Sequence, residues 1–171
     1  MKANRSSLER EYRFSQALKA IVRISLFVIL LPVLAMAAGS VAAFEQTNKS
    51  YFGDLALEGY DTVGYFTQGK VIKGSQTHAF DWKGARWLFS SAANRDRFAA
   101  NPQAFAPQYG GYCSNQMSLG NLSDIDPDVW RMIDGKLYLF GHQAGRIRWA
   151  DEVPQKIDAA DGYWAGYLGK Q

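Results

Sequence analysis

One cysteine occurs in this 171-residue chain, and its setting gives it chemical interest. Cys113 follows a Tyr109-Gly110-Gly111-Tyr112 turn within the stretch PQYGGYCSNQMSLG, from Pro107 to Gly120. Glycines can take positive φ and let the backbone come close to a ligand or another segment. The polar run Ser114-Asn115-Gln116 reads as the start of a helix whose N-terminal amides lie near the sulfur, a place that lowers a thiol pKa. A thiol so placed serves as a nucleophile, a redox centre, a metal ligand or an intermolecular disulfide partner. The alternative is a buried small hydrophobe, because free cysteine is among the most buried residue types.

The other residues able to assist are few. His78 sits in a predicted strand, where a lone histidine is usually a hydrogen-bonded or surface residue. As a second ligand to a transition metal ion it would need further help, and Asp61, Tyr65 and Tyr112 are the candidates. His142 stands where a helix N-cap is expected. Asp124, Asp126 and Asp128 alternate as at the start of an EF-hand, but Val129 and Gly135 fall where that loop needs glycine and glutamate. A solvated acidic connector fits better. Arg95, Arg97, Arg146 and Arg148 read as helix-surface residues, and no G-x-S-x-G, Walker or H-E-x-x-H pattern occurs.

The elements that must position these residues are short. Residues 44–56 form a polar lead, Leu57 to Asp61 a turn-rich stretch, and Thr62 to Phe66 has the β-branched and aromatic content of a strand. Val71 and Ile72 suggest a weak edge strand. His78 to Trp82 and Arg86 to Phe89 flank Lys83-Gly84 as a β-hairpin, and Ser90 or Ser91 caps a helix over Ala92 to Ala100 that Pro102 closes. The same pattern returns fifty-one positions later: Val129 to Ile133 and Leu137 to Phe140 flank Asp134-Gly135, followed by helices over 144–152 and 154–168.

Across residues 84–99 seven of sixteen positions match those of 135–150. With a one-residue shift Gly110 aligns with Gly162, Tyr112 with Trp164 and Cys113 with Ala165. That alignment gives the turn a counterpart at Asp161 to Ala165 without the sulfur. The expectation is two hairpin-helix halves sharing one core, in a small single α+β domain of short antiparallel hairpins with packed helices.

Residues 1–23 carry six Lys or Arg against two Glu, and an uncharged run extends from Ile24 to Phe44. Small-x-small patterns at Ala35-Met36-Ala37 and Val41-Ala42-Ala43 complete the form of an export signal over 1–43; the other reading is an uncleaved inner-membrane anchor. Both place the domain outside the cytoplasm, in the periplasm, with the membrane met only through this segment. The chain's net +3 includes +4 from residues 1–43, so the remainder is near −1 and nucleic acid is not an expected partner. A lone cysteine provides no intramolecular disulfide, so packing must hold the domain together, and all five tryptophans lie in it.

Three stretches resemble the exported bacterial YHS domain proteins: Gly59-Tyr60-Asp61-Thr62-Val63-Gly64-Tyr65-Phe66, the run from Trp87 to Phe98 with Asn101-Pro102, and Pro107-Gln108-Tyr109-Gly110-Gly111-Tyr112-Cys113. The resemblance covers about residues 55–150 and implies a YHS-like domain over 57–168, a fold and a compartment more than an activity. Related metal-binding YHS and TRASH-type domains carry a cysteine in the segment resembling Asp61 to Tyr65, and a Cys-x-x-x-Cys in that resembling Ser90 to Asn94. Here Gly64, Ser90 and Asn94 hold those places, which removes the thiolates that a soft metal wants. Some members are selenoproteins, at the position resembling Cys113, which implies a reactive chalcogen there.

Three functions remain open on the sequence. The first is a binding or accessory module with its site at the Tyr109–Cys113 turn, for a metal ion or another small ligand or protein partner. The second is a thiol-dependent oxidoreductase using Cys113 without a resolving cysteine. The third is a structural or interaction domain.

Overall fold

The computed structural model of the chain describes residues 45–50 and 53–170. The export segment read at 1–43 lies outside them. Among the described residues no helix is long and apolar enough to cross a membrane.

Two six-element runs follow one another in the same order. The first has a 3-10 turn at Leu57–Gly59, helix α1 (Thr62–Gln68), strands β1 (Ser75–Trp82) and β2 (Ala85–Phe89), and helices α2 (Ala92–Ala100) and α3 (Pro102–Phe105). The second has a 3-10 turn at Gln108–Gly111, α4 (Ser114–Met117), β3 (Asp126–Ile133), β4 (Lys136–Phe140), α5 (Gln143–Ala150) and α6 (Val153–Leu168). The α+β reading and its pair of hairpin-helix halves are thus the observed architecture.

Each hairpin is a separate two-stranded antiparallel sheet. Lys83-Gly84 and Asp134-Gly135 turn them with φ of 48° and 70°, and 48° and 72°, the mirror-image turn that matches strand twist. Both hairpins break register at the same place, between Ser75 and Ala79 and between Asp126 and Trp130. His78 and Val129 occupy equivalent positions in these bulges.

One hydrophobic cluster serves both halves. Trp87, Phe89 and Phe98 pack in the first, with Trp87 and Phe98 stacked at 4.9 Å; Tyr138, Phe140 and Trp149 pack in the second, with Tyr138 and Trp149 5.9 Å apart. Tyr65 of α1 crosses between them, donating to the Pro127 carbonyl in the second bulge at 2.9 Å and meeting Trp130 edge-on. Residues 44–171 form one unit.

Three sequence expectations need correction. Thr62 to Phe66 is helix, because the Asp61 carboxylate caps it by accepting from the Val63 amide and left-handed Gly69 ends it. Its β-branched and aromatic residues are there for the core, since Thr62, Val63 and Tyr65 are all buried. Val71 and Ile72 form no strand; this stretch makes only an isolated bridge between Tyr60 and Lys73. The lead is more than a polar preface, because Thr47 and Asn48 are buried against the domain.

Candidate functional site

The Tyr109–Gly111 turn has three consecutive residues in the left-handed region, with φ of 55°, 61° and 85°. Leu57, Glu58 and Gly59 repeat this at 50°, 52° and 80°. The two turns lead into Gly59-Tyr60-Asp61-Thr62 and Gly111-Tyr112-Cys113-Ser114, so Cys113 is the structural equivalent of Asp61. The Asp161 to Ala165 counterpart is overturned: those residues lie inside α6, whose helical backbone bears no likeness to the turn.

The glycines at the second turn serve a close approach within the chain. A Cβ on Gly110 would lie 2.0 Å from the Gln46 carbonyl oxygen, and one on Gly111 2.7 Å from Leu57. The lead sits in this space: the Asn48 amide donates to the Gly110 carbonyl at 2.8 Å, its side-chain amide donates to the Gly111 carbonyl at 3.2 Å, and the Tyr112 hydroxyl donates to the Glu45 carbonyl at 3.1 Å. Glu58 needs no glycine because it faces solvent.

Cys113 stands at the N-cap of α4, as the run Ser114-Asn115-Gln116 leads one to expect. It is 3 % exposed, and its sulfur accepts from the Gly141 amide at 3.3 Å. Asp61 does the equivalent work with more partners. Its carboxylate accepts from the Ser90 amide at 2.8 Å, the Ser90 hydroxyl at 2.6 Å and the Asn94 side chain at 2.7 Å, besides Val63. Ser90 and Asn94 correspond to Gly141 and Gly145 in the second half.

One half therefore has a carboxylate tied to a hydroxyl and an amide, and the other a thiol against the backbone of Gly141, with glycine also at the position matching Asn94. The residue that meets Ser90 and Asn94 is Asp61, while Gly64 is buried within α1.

The remaining expected helpers have other partners: Asp61 holds Ser90 and Asn94, Tyr65 donates to Pro127 and Tyr112 to Glu45. Among the described residues no hydrogen bond joins His78, Asp61 or Tyr65 to Cys113, and no group of three or more His, Cys, Asp or Glu converges to hold a metal. His142 caps α5 through Nδ1, which accepts from the Gly145 amide at 3.0 Å, as expected of its position.

The turn's other side opens on a cleft of about 210 Å³ between the halves. Trp82 and Trp87 come from the first hairpin, Tyr109 and Gly110 from the turn, and Asp161 and Trp164 from α6. The Tyr109 hydroxyl donates to Asp161 Oδ1 at 3.0 Å. Burial, with the Asp161 charge behind it, raises the Tyr109 phenol well above its ordinary pKa. Tyr65 is raised likewise, by burial and then Asp128; Tyr112 is raised by burial and then Glu45.

Of these residues the sequence singled out the turn, set Asp161 and Trp164 only in an expected counterpart to it, and gave Trp82 no part in a site. Trp164 does approach the turn, with its ring 6.4 Å from that of Tyr112, but as a neighbour across the fold. The usable signal was tryptophan at elements bordering the glycines, which a reading centred on the thiol passes over.

No family model, no curated protein and no solved structure matches the chain.

Proposed function

We propose that the chain is a binding module of the YHS-like kind, working outside the cytoplasm, whose ligand sits in the cleft between the halves. The observation that carries this reading is the cleft itself. Aromatic side chains from both halves border it, with the carboxylate of Asp161 beside them, the mixture expected of a small-ligand site. The Tyr109–Gly110 turn forms one wall, so the site keeps the turn but moves off the sulfur.

Cys113 then has a structural task, closing α4 against the strand end at Gly141. Its burial and its hydrogen bond place the redox and metal-ligand readings behind this one. The export segment at 1–43 and the resemblance to exported YHS proteins support the compartment.

The test is a fragment screen followed on the five tryptophan indole N–H signals by NMR. Fragments of small polar-aromatic chemistry are expected to shift the Trp82 and Trp164 signals while leaving Trp149, buried in the core, in place. Binding that shifts other indoles and spares these two would overturn the assignment.

A further inference from the structure

The lining of the cleft also selects among ligand classes, in an inference that rests on the cleft being the binding site. We propose that it binds a single saccharide ring, a neutral ligand with an apolar face and a rim of hydroxyls. The volume of about 210 Å³ is below the roughly 300–1,000 Å³ of sites for drug-sized molecules, so one ring is the natural occupant.

Two half-buried indoles, Trp82 and Trp164, border the space from opposite halves, and indole faces suit the C–H face of a pyranose. The polar residues of the lining are mostly glutamines, Gln46, Gln103 and Gln108, whose side-chain amides both donate and accept. An amide answers a hydroxyl in either direction, whereas a charged ligand would call for a set of one sign. The cleft offers no such set. Asp161 and Lys83 contribute one charge of each sign.

An organic cation is disfavoured by a specific contact. The Lys83 ammonium lies 4.8 Å from the centroid of the Trp82 ring, so the attraction that a quaternary ammonium would use is already taken by a side chain. The same contact takes that face from a sugar ring, so stacking falls to Trp164, while the Lys83 charge repels a second cation.

The experiment titrates the full chain, held in a polyoxyethylene detergent that carries neither sugar nor ammonium, with glucose, N-acetylglucosamine and choline chloride. Tryptophan fluorescence and saturation-transfer NMR are the readouts. At least one of the two sugars is expected to bind with a Kd of about 1 mM, and choline is not. Trp164→Ala should weaken the sugar at least about tenfold through loss of stacking. Gln103→Ala, at an exposed position of α3, should weaken it several-fold and provides the readout if Trp164→Ala fails to fold.

Sugar binding unchanged in the Gln103→Ala chain and in any folded Trp164→Ala chain overturns the proposal. So does choline binding without sugar binding, although that result keeps the cleft as the site. Failure of both ligands also overturns it, and the indole screen above then decides separately whether the cleft binds anything.

Discussion

Asp61 and Cys113 occupy the same place in two halves of one domain, and their surroundings teach different lessons. Both follow a left-handed turn, both stand at the N-cap position of a short helix although only Asp61 accepts an amide of that helix, and both accept the amide of the residue just after a hairpin, Ser90 or Gly141. In the first half the cap is a carboxylate with four hydrogen bonds, a closed polar knot. In the second the cap is a thiol with one, and the positions of Ser90 and Asn94 have become Gly141 and Gly145. In the second half Tyr109 and Asp161 pair beside the cleft.

The largest expected contrast is between these two caps. Asp61→Ala strands the Ser90 hydroxyl, the Asn94 amide and two backbone N–H groups, and should cost about 3–5 kcal/mol. Cys113→Ala loses one weak acceptor and one atom of packing, and should cost about 1–2 kcal/mol. Urea unfolding of the two variants against the parent measures both; equal losses would break the comparison.

Gly110→Ala tests why the second turn has a glycine where the first has Glu58. The added methyl meets the Gln46 carbonyl in a left-handed conformation, and the expected cost is about 2–3 kcal/mol, with faster proteolysis of the lead. Glu58→Ala, facing solvent with the same backbone, should change stability by less than about 0.5 kcal/mol.

Alkaline titration comes next and probes one tyrosine from each half. Burial holds the phenols of Tyr65 and Tyr109 above their ordinary pKa. Above about pH 10, the unfolded tyrosine value, the folded state keeps protons that the unfolded state has released. Stability from these groups is therefore fully present below that pH and falls as pH rises further. Phenolate absorbance and unfolding should move together; ionisation of both tyrosines near pH 10 without loss of fold would contradict the packing described.

The smallest contrast concerns the hydroxyls that follow the caps. Thr62 donates to the Phe105 carbonyl, whereas the fully buried Ser114 hydroxyl has no partner among the described residues. Thr62→Val should cost about 1 kcal/mol and Ser114→Ala should raise stability by about 1 kcal/mol, read as opposite shifts in thermal midpoint.

Much of the fold was legible from local chemistry. Asp-Gly and Lys-Gly turns, a cap at Ser90 or Ser91, of which the structure uses Ser91, the cap at His142 and the fifty-one-residue repeat placed both hairpins and the helices that follow them. Thr62 to Phe66 failed because its β-branched and aromatic residues answer the core, and the helix there is fixed by Asp61 and Gly69 at its ends. The repeat was read forward from the hairpins, where the spacing is fifty-one. The matching turns before them are fifty-two apart, so the equivalence of Asp61 with Cys113 was hidden by one residue. The cleft was illegible for another reason: Trp82, Tyr109 and Asp161 are far apart in sequence, and only the packing of α6 against the turn brings them together.

The central claim is that Cys113 is a buried cap, the counterpart of Asp61, and that function lies in the cleft beside it. Alkylation of the native full chain by iodoacetamide tests the claim most directly, followed across urea concentration with and without zinc or copper. Labelling should track global unfolding, with neither metal protecting the native thiol. Rapid labelling without urea, or protection by either metal under native conditions, would contradict the account and return the function to the sulfur.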